Sequence, residues 1–533
     1  MADICKKMQD NIFKILIGIL LICFLPVLLC VVLIGNYMDY YAGMKIDLWL
    51  PEQVLSIIAL IGLAFCIFLF WKCSAWQLTR RANWTMNCAL AGLFIVLYFI
   101  NIQVAKEIAF YLPWDIGVVR MESYNVAYEI PLGYHYYFSV FSNNIPILYI
   151  LGRLYRKALE IQNYPYNYDF IWIQVNCALI SIAGFFSCLT VKKITKKLMP
   201  TVAVFFLYLG LVGISPWKIA PYTDTYGLIF PVMCIYFYIC YRHAKKTWCK
   251  CICILLSLVF GMWGSFVKPN LYIIIIALML NELLCLFADY KKNWKFLMVE
   301  AVLVLALLWG NKAYLGHIIE EIGFDFNSEI EAGWQHYFYM GLNEGTGGGY
   351  SAEDTAMFGE FSYSRSDRIH AELERAWGRL KGRGFFGSVY FYLKKMVMTF
   401  NDGVFGWRTE VWEAEPYPEG LASNTIWTLR LRSIYCGDTM GDFKAECYNL
   451  FCQLVWIFCI IGIPGICLCK KEKREEYGIL ILNFLGVFFY QMLFEARARY
   501  LFVFLPVILP TAICGIQEYT RCAVAVIQKK REK

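Results

Sequence analysis

The feature that most constrains this chain is a long series of apolar runs separated by short basic or aromatic loops. Runs near 12–34, 54–71, 85–105, 169–191, 200–214, 227–241, 251–267, 271–288, 296–314, 449–469, 477–495 and 500–517 read as candidate membrane spans. In hydrocarbon a helix satisfies its own backbone polar groups, so such runs can hardly fold as anything else. Composition agrees: 59% of the 533 residues are hydrophobic and only 17% are charged, against about a quarter in soluble domains. The expected fold is an all-α polytopic membrane protein with about twelve transmembrane helices and a mixed extracytoplasmic domain. The net charge of +8 calls for no nucleic acid, because the basic residues cluster in short loops beside apolar runs.

The N-terminal "MADICKKMQDNIFKILIGILLICFLPVLLCVVLIG" has the basic start and apolar run of a signal peptide. The run is too long for one and has no small-residue cleavage site, so it is expected to remain as a span. Most of the 22 cysteines lie inside apolar runs, where a thiol acts as a small hydrophobe. Cys249, Cys251 and Cys253 lack metal-site spacing, and Cys436 and Cys447 are candidates for a disulfide.

Charge decides the topology. The stretch "YFSVFSNNIPILYILGRLYRKAL", 137–159, is apolar enough to cross the membrane. If it crossed, the basic loops at 192–197, 242–250, 291–295 and 470–474 would lie on the opposite side from Lys72, Arg80 and Arg81. If it lies in the interface, all of these loops share one side with the tail at 529–533. The positive-inside rule favours the second arrangement, with both termini cytoplasmic. Four regions follow: a helical hairpin at 1–84; a membrane core at 85–314 with an outer loop at 106–168; an extracytoplasmic segment at 315–448; and three final spans with a basic tail at 449–533.

The conspicuous polar clusters then all fall outside. Asp115, in "YLPWDIGVVRMESYN", can act as a general base or cap a helix, and Glu122 follows it. "SPWKIAPYTDTYG" offers Tyr222 and Asp224, with helix capping as the plain alternative. Lys268, in "FVKPNLY", breaks the charge rule and suits either lipid headgroups or a bound phosphate. "LFEARARYLF" carries Glu495, Arg497 and Arg499. As a helix, Glu495 and Arg499 pair at i,i+4; unwound, both arginines point one way and present planar forks suited to phosphate. Their alternative is simple anchoring at headgroups. Of the five histidines, His336 in "GWQHYFYMGLNEGTGGGYS" has the aromatic, Gly-rich neighbours of a sugar-stacking site or a lid, with a solvated loop histidine as the plain alternative. None shows metal-ligand spacing, and no nucleotide-binding or serine-hydrolase motif is present.

The order of these strings resembles the GT-C glycosyltransferases, in particular bacterial relatives of the dolichyl-phosphate-mannose protein mannosyltransferases and the aminoarabinose transferases. The resemblance covers the chain from about residue 85. It departs from the family where Ile116 replaces the acid that often follows the first-loop Asp, and where "NNIPIL" replaces Pro-Pro-Leu. The resemblance implies a polyprenyl-phosphate-linked sugar as donor, a cell-envelope acceptor (glycan, lipid or protein), and transfer with inversion. It implies Asp115 as the catalytic base, Arg497, Arg499 and Lys268 on the donor phosphate, and Glu122, Tyr222, Asp224, His336 and Glu495 toward substrate. No cofactor or metal is required, although a divalent cation is compatible with the outer carboxylates. The competing expectation is a transporter or flippase for an anionic or lipid-linked glycan; the large outer segment and the lack of internal repeats weigh against it.

Overall fold

The computed structural model describes residues 2–34, 37–39, 44–46, 50–73, 79–161, 169–286, 290–362, 364–411, 415–416, 425–435 and 443–531. The protein is an all-α polytopic membrane protein. Ten helices among the described residues are long and apolar enough to span: Lys7–Leu33, Glu52–Lys72, Arg81–Ile108, Asp169–Thr195, Thr223–His243, Thr247–Val267, Pro269–Leu286, Leu297–Ile322, Phe443–Leu468 and Lys471–Leu493. Each covers one of the apolar runs. The other two runs fold differently. Leu198–Gly213 is a shorter apolar helix. The last run is broken into the single turn Arg499–Phe502 and the helix Leu505–Arg531, which contains Pro510. The described part of 315–448 is mainly helical; Glu415–Pro416 forms a short antiparallel pair with Phe110–Tyr111.

Small residues let the spans approach closely. A Cβ on Gly465 would lie 2.2 Å from the carbonyl oxygen of Gly515, and one on Gly515 would lie 2.1 Å from that of Gly462. This backbone contact joins the end of the Phe443–Leu468 span to the last helix, as small residues commonly do between membrane helices. Leu297–Ile322, by contrast, packs little of its surface within the chain. An apolar helix that leaves most of its surface uncovered by protein is suited to face lipid.

Ionic contacts sort the loops into two ends. Asp10 binds Lys471 at 2.6 Å and also binds Arg474. Lys192 donates to Asn87, and Arg242 pairs with Glu282 at 3.2 Å and with Glu475. These basic loops therefore cluster at one end of the bundle, as the charge pattern predicts. At the other end the helix Ile145–Glu160 lies across the spans. Near its start, Asn144 accepts from Tyr222, which precedes a span. Near its finish, Tyr155 donates to Asp169, where another span begins. A crossing helix of this length would separate its ends by about 24 Å along the bundle; here both ends meet the same end of the bundle. The stretch 387–400 is the latter part of Arg365–Phe400, which is kinked at Gly384 with φ +62.

Tyr134→Cys and Glu160→Cys, placed singly in a chain whose exposed Cys88, Cys251 and Cys447 are replaced, are expected to react with an impermeant thiol reagent from the same face. Labelling from opposite faces would show that Ile145–Glu160 crosses the membrane.

Candidate functional site

Asp115 sits in the first turn of the helix Trp114–Ala127, whose N-cap, Pro113, has no side-chain cap bond. The turn before it is tight. Trp114 has φ +60, and a Cβ on Gly117 would lie 2.9 Å from the Leu112 carbonyl oxygen. A left-handed backbone costs a bulky residue about 1–2 kcal/mol, and such strain is concentrated at functional positions. The capping alternative is not what the carboxylate does. Asp115 Oδ1 accepts from the Tyr137 hydroxyl at 2.7 Å, Oδ2 lies 3.7 Å from Arg499 Nη2, and the side chain remains 40% exposed.

The 215–227 hairpin is held by the Asp169–Thr195 span. Asn176 Nδ2 donates to the carbonyls of Ala220 at 2.7 Å and Lys218 at 3.1 Å, and Trp172 Nε1 donates to that of Ala220. This anchoring sets Tyr222 and Asp224 facing the centre. Asp224 Oδ1 receives Lys268 Nζ at 2.9 Å, and Thr223 Oγ1 receives it at 3.3 Å. Lys268 is buried on Asp224 and does not snorkel; burial pulls its amine below the usual lysine range, while Asp224 opposes that pull.

The "FEARAR" segment is unwound. Glu495 N–H donates to the Tyr337 carbonyl and Ala496 N–H to that of Gly348, both at 2.9 Å. Lys395 Nζ donates to the carbonyls of Gly341 and Phe494 from the other side. A Cβ at Gly341 would lie 2.3 Å from the Phe494 backbone, so this close approach requires glycine. The i,i+4 pair of Glu495 and Arg499 therefore does not form: Glu495 accepts from Tyr500 at 2.8 Å instead. Both arginines turn the same way and meet one carboxylate. Glu410 Oε1 is 3.2 Å from Arg497 Nη1 and 3.0 Å from Arg499 Nη1. Arg499 is only 6% exposed and Glu410 only 1%, which rules out simple anchoring at headgroups for Arg499. The guanidinium of Arg499 also lies 5.8 Å from the Tyr222 ring and 5.5 Å from that of Tyr500.

Glu410 is delivered by a turn at 401–406. Asp402 accepts the Val404 N–H at 3.0 Å and the Gly406 N–H, and Phe405 and Gly406 both adopt positive φ. Glu410 carries little signal in the sequence beyond a carboxylate beside the "DGVFGW" turn. Tyr137, Asn144, Tyr337 and Tyr500, whose hydroxyls and amides link the charged groups, carry no motif of their own.

Two candidates lie away from the centre. Glu122 is buried and closes a turn, accepting the backbone N–H of Gly133 and Tyr134 and the amide of Asn125. His336 is buried against Phe358, with Nδ1 3.0 Å from Glu372. Its neighbour Tyr337 is the one that faces the centre, donating to Asn143 at 3.2 Å. Cys436, half of the candidate disulfide, lies outside the described residues. No group of three or more His, Cys, Asp or Glu side chains is arranged to hold a metal among the described residues.

A multi-pass helical bundle with an ionic centre at one end defines the class: an integral membrane protein. Within that class the chain belongs to the family described as conserved hypothetical integral membrane protein, which matches residues 1–519. No curated protein and no solved structure matches the chain.

Two measurements follow from this geometry. Glu410→Gln leaves two guanidinium groups facing each other without their carboxylate. It should cost about 3–5 kcal/mol of stability in thermal or denaturant unfolding in detergent. Tyr149→Phe, which loses an exposed bond to Glu321, should cost under about 1 kcal/mol. The second concerns Lys395, whose amine burial depresses from 10.5 to about 7. Between these values the unfolded chain carries a proton that the folded chain has released, so stability rises with pH through this window. The melting temperature should climb from pH 7 to pH 9, and Lys395→Met should flatten that slope.

Proposed function

We propose that this protein is a membrane glycosyltransferase that moves a sugar from a polyprenyl-phosphate donor to an acceptor hydroxyl on the extracytoplasmic side. One observation carries the reading: a part-exposed carboxylate, Asp115, lies 3.7 Å from a buried guanidinium, Arg499. A proton acceptor and an anion-binding group thus share one centre. In the transfer the acceptor oxygen forms a bond to the anomeric carbon as the bond from that carbon to the phosphate oxygen breaks. The electron pair leaves with the phosphate, and the acceptor proton passes to Asp115. Attack opposite the leaving group inverts the anomeric configuration.

The cations of the centre are already engaged. Arg497, Arg499 and Lys268 face Asp115, Asp224, Glu410 and Glu495, three positive groups against four carboxylates. A phosphate therefore competes with Glu410 for the arginines or uses donors that Glu410 leaves over. Arg499 Nε is such a donor, buried without a hydrogen-bond partner. Glu410 then serves as a brace that holds the two forks before the donor arrives. Fixed cations of this kind stabilise the charge that grows on a departing phosphate. A lipid donor is also supported by a cavity of about 470 Å³ lined by Pro26, Phe385, Val389, Met396, Phe488 and Leu493, among others. It reaches the end of the span that leads into Glu495.

A transporter of an anionic lipid is the second reading. The buried Arg242–Glu282 pair at the opposite end of the bundle favours it, with Tyr238 donating to Glu282 at 2.6 Å. Comparison of cell-envelope glycans by mass spectrometry with and without the gene separates the two. Transfer leaves a glycan lacking one sugar, whereas transport leaves lipid-linked precursor on the wrong face.

In a reconstituted assay Asp115→Asn should lower turnover by about 10²–10⁴-fold, the usual range for a lost general base, while donor binding persists. Arg499→Ala should lose roughly ten- to a hundredfold in donor efficiency, with Arg499→Lys in between. Near-parental turnover in Asp115→Asn would refute the base assignment.

A further inference from the structure

The hydrogen bonds behind Asp115 have only one consistent direction. An ionised carboxylate only accepts, so the 2.7 Å contact at Oδ1 takes the single proton of the Tyr137 hydroxyl. The Tyr137 oxygen must then accept from its other neighbour, which is Asn144 Nδ2 at 2.7 Å. That fixes the amide of Asn144: its Oδ1 faces away and accepts. Two donors meet it there, Tyr222 O–H at 3.0 Å and Asn143 Nδ2 at 3.2 Å. Asn143 Oδ1 in turn accepts from Tyr337 O–H at 3.2 Å. Two branches, from the 215–227 hairpin and from the outer segment, thus converge on Asn144 and point every donor toward Asp115.

We propose that Tyr137 and Asn144 are positioning residues that occupy Oδ1 and leave Oδ2 as the atom that takes the acceptor's proton. The inference rests on the reading of Asp115 as the base. Oδ2 is the oxygen turned toward Arg499. When it gains the proton, its pull on that guanidinium falls as the departing phosphate gains negative charge. Arg499 therefore exchanges one anionic neighbour for another, and the centre need not reorganise. The phenols are suited to remain donors throughout. Burial, and then the Asp115 charge, pushes both Tyr137 and Tyr222 well above the ordinary tyrosine range. Arg499, Tyr137, Tyr222 and Tyr337 each bear on Asp115 through space.

The test is the pH dependence of kcat for the full-length protein in lipid nanodiscs, assayed as release of polyprenyl phosphate from a panel of polyprenyl-phosphate hexoses. Tyr137→Phe removes a hydrogen bond made to the charged form of the base. The acid limb of kcat should move up by about one to two pH units, with donor KM within about twofold of the parent. Asn144→Leu leaves the Tyr137 hydroxyl on Asp115 but removes the donor behind it, so its shift should be smaller and of the same sign. If Tyr137→Phe does not fold, Asn144→Leu carries the test alone. An acid limb unmoved in these variants, alongside an inactive Asp115→Asn, would overturn the positioning role and leave the base assignment standing. An active Asp115→Asn would overturn the base assignment, and the inference with it.

Discussion

The centre depends on keeping a guanidinium charged where little water reaches it. Arg499 and Glu410 are almost entirely buried, and desolvation costs several kcal/mol for each ion even in relaxed proteins. Such a pair persists only when its geometry is held from outside. The 401–406 turn presents Glu410, the rings of Tyr222 and Tyr500 flank Arg499, and Arg497 shares the same carboxylate oxygen. These groups come from three separate stretches of chain, at Tyr222, at 401–410 and at 497–500. The pair therefore acts as the joint at which the 106–168 loop, the 215–227 hairpin, the 401–410 stretch and the last turn before the final helix are assembled.

The spans were legible in the sequence because hydrocarbon leaves so few ways to satisfy a backbone. The two runs that fold differently are those where length or a local break intervenes, at Leu198–Gly213 and at the turn Arg499–Phe502. Charge asymmetry was informative as well. It placed Ile145–Glu160 across the end of the bundle, where Asn144 and Tyr155 both meet the same set of loops. At the centre, Asp115, Tyr222, Asp224, Lys268, Glu495, Arg497 and Arg499 come together, as their shared side suggested. The pairing among them was not legible. Helical spacing puts Glu495 opposite Arg499, but backbone bonds from Tyr337 and Gly348 hold that segment extended. The true partner of the arginines is Glu410, distant in sequence and unremarkable in "WRTEV". Glu122 and His336 looked available because sequence does not reveal a partner already present; one closes a turn and the other rests on Glu372.

The backbone ladder at Glu495 and Ala496 bears on how this protein is made. In synthesis Asp115, Tyr137 and Asn144 are made before the arginines. The arginines that complete the centre follow all ten candidate spans in chain order. Until the arginines are made, Asp115 lacks its guanidinium neighbour. The stretch around Gly341 and Gly348 can take its close contact with Phe494 and Ala496 only once that later segment has been made. Nascent chains stalled before this point should lack the pairing of Glu495 and Ala496 with Tyr337 and Gly348, and should expose that stretch to proteases.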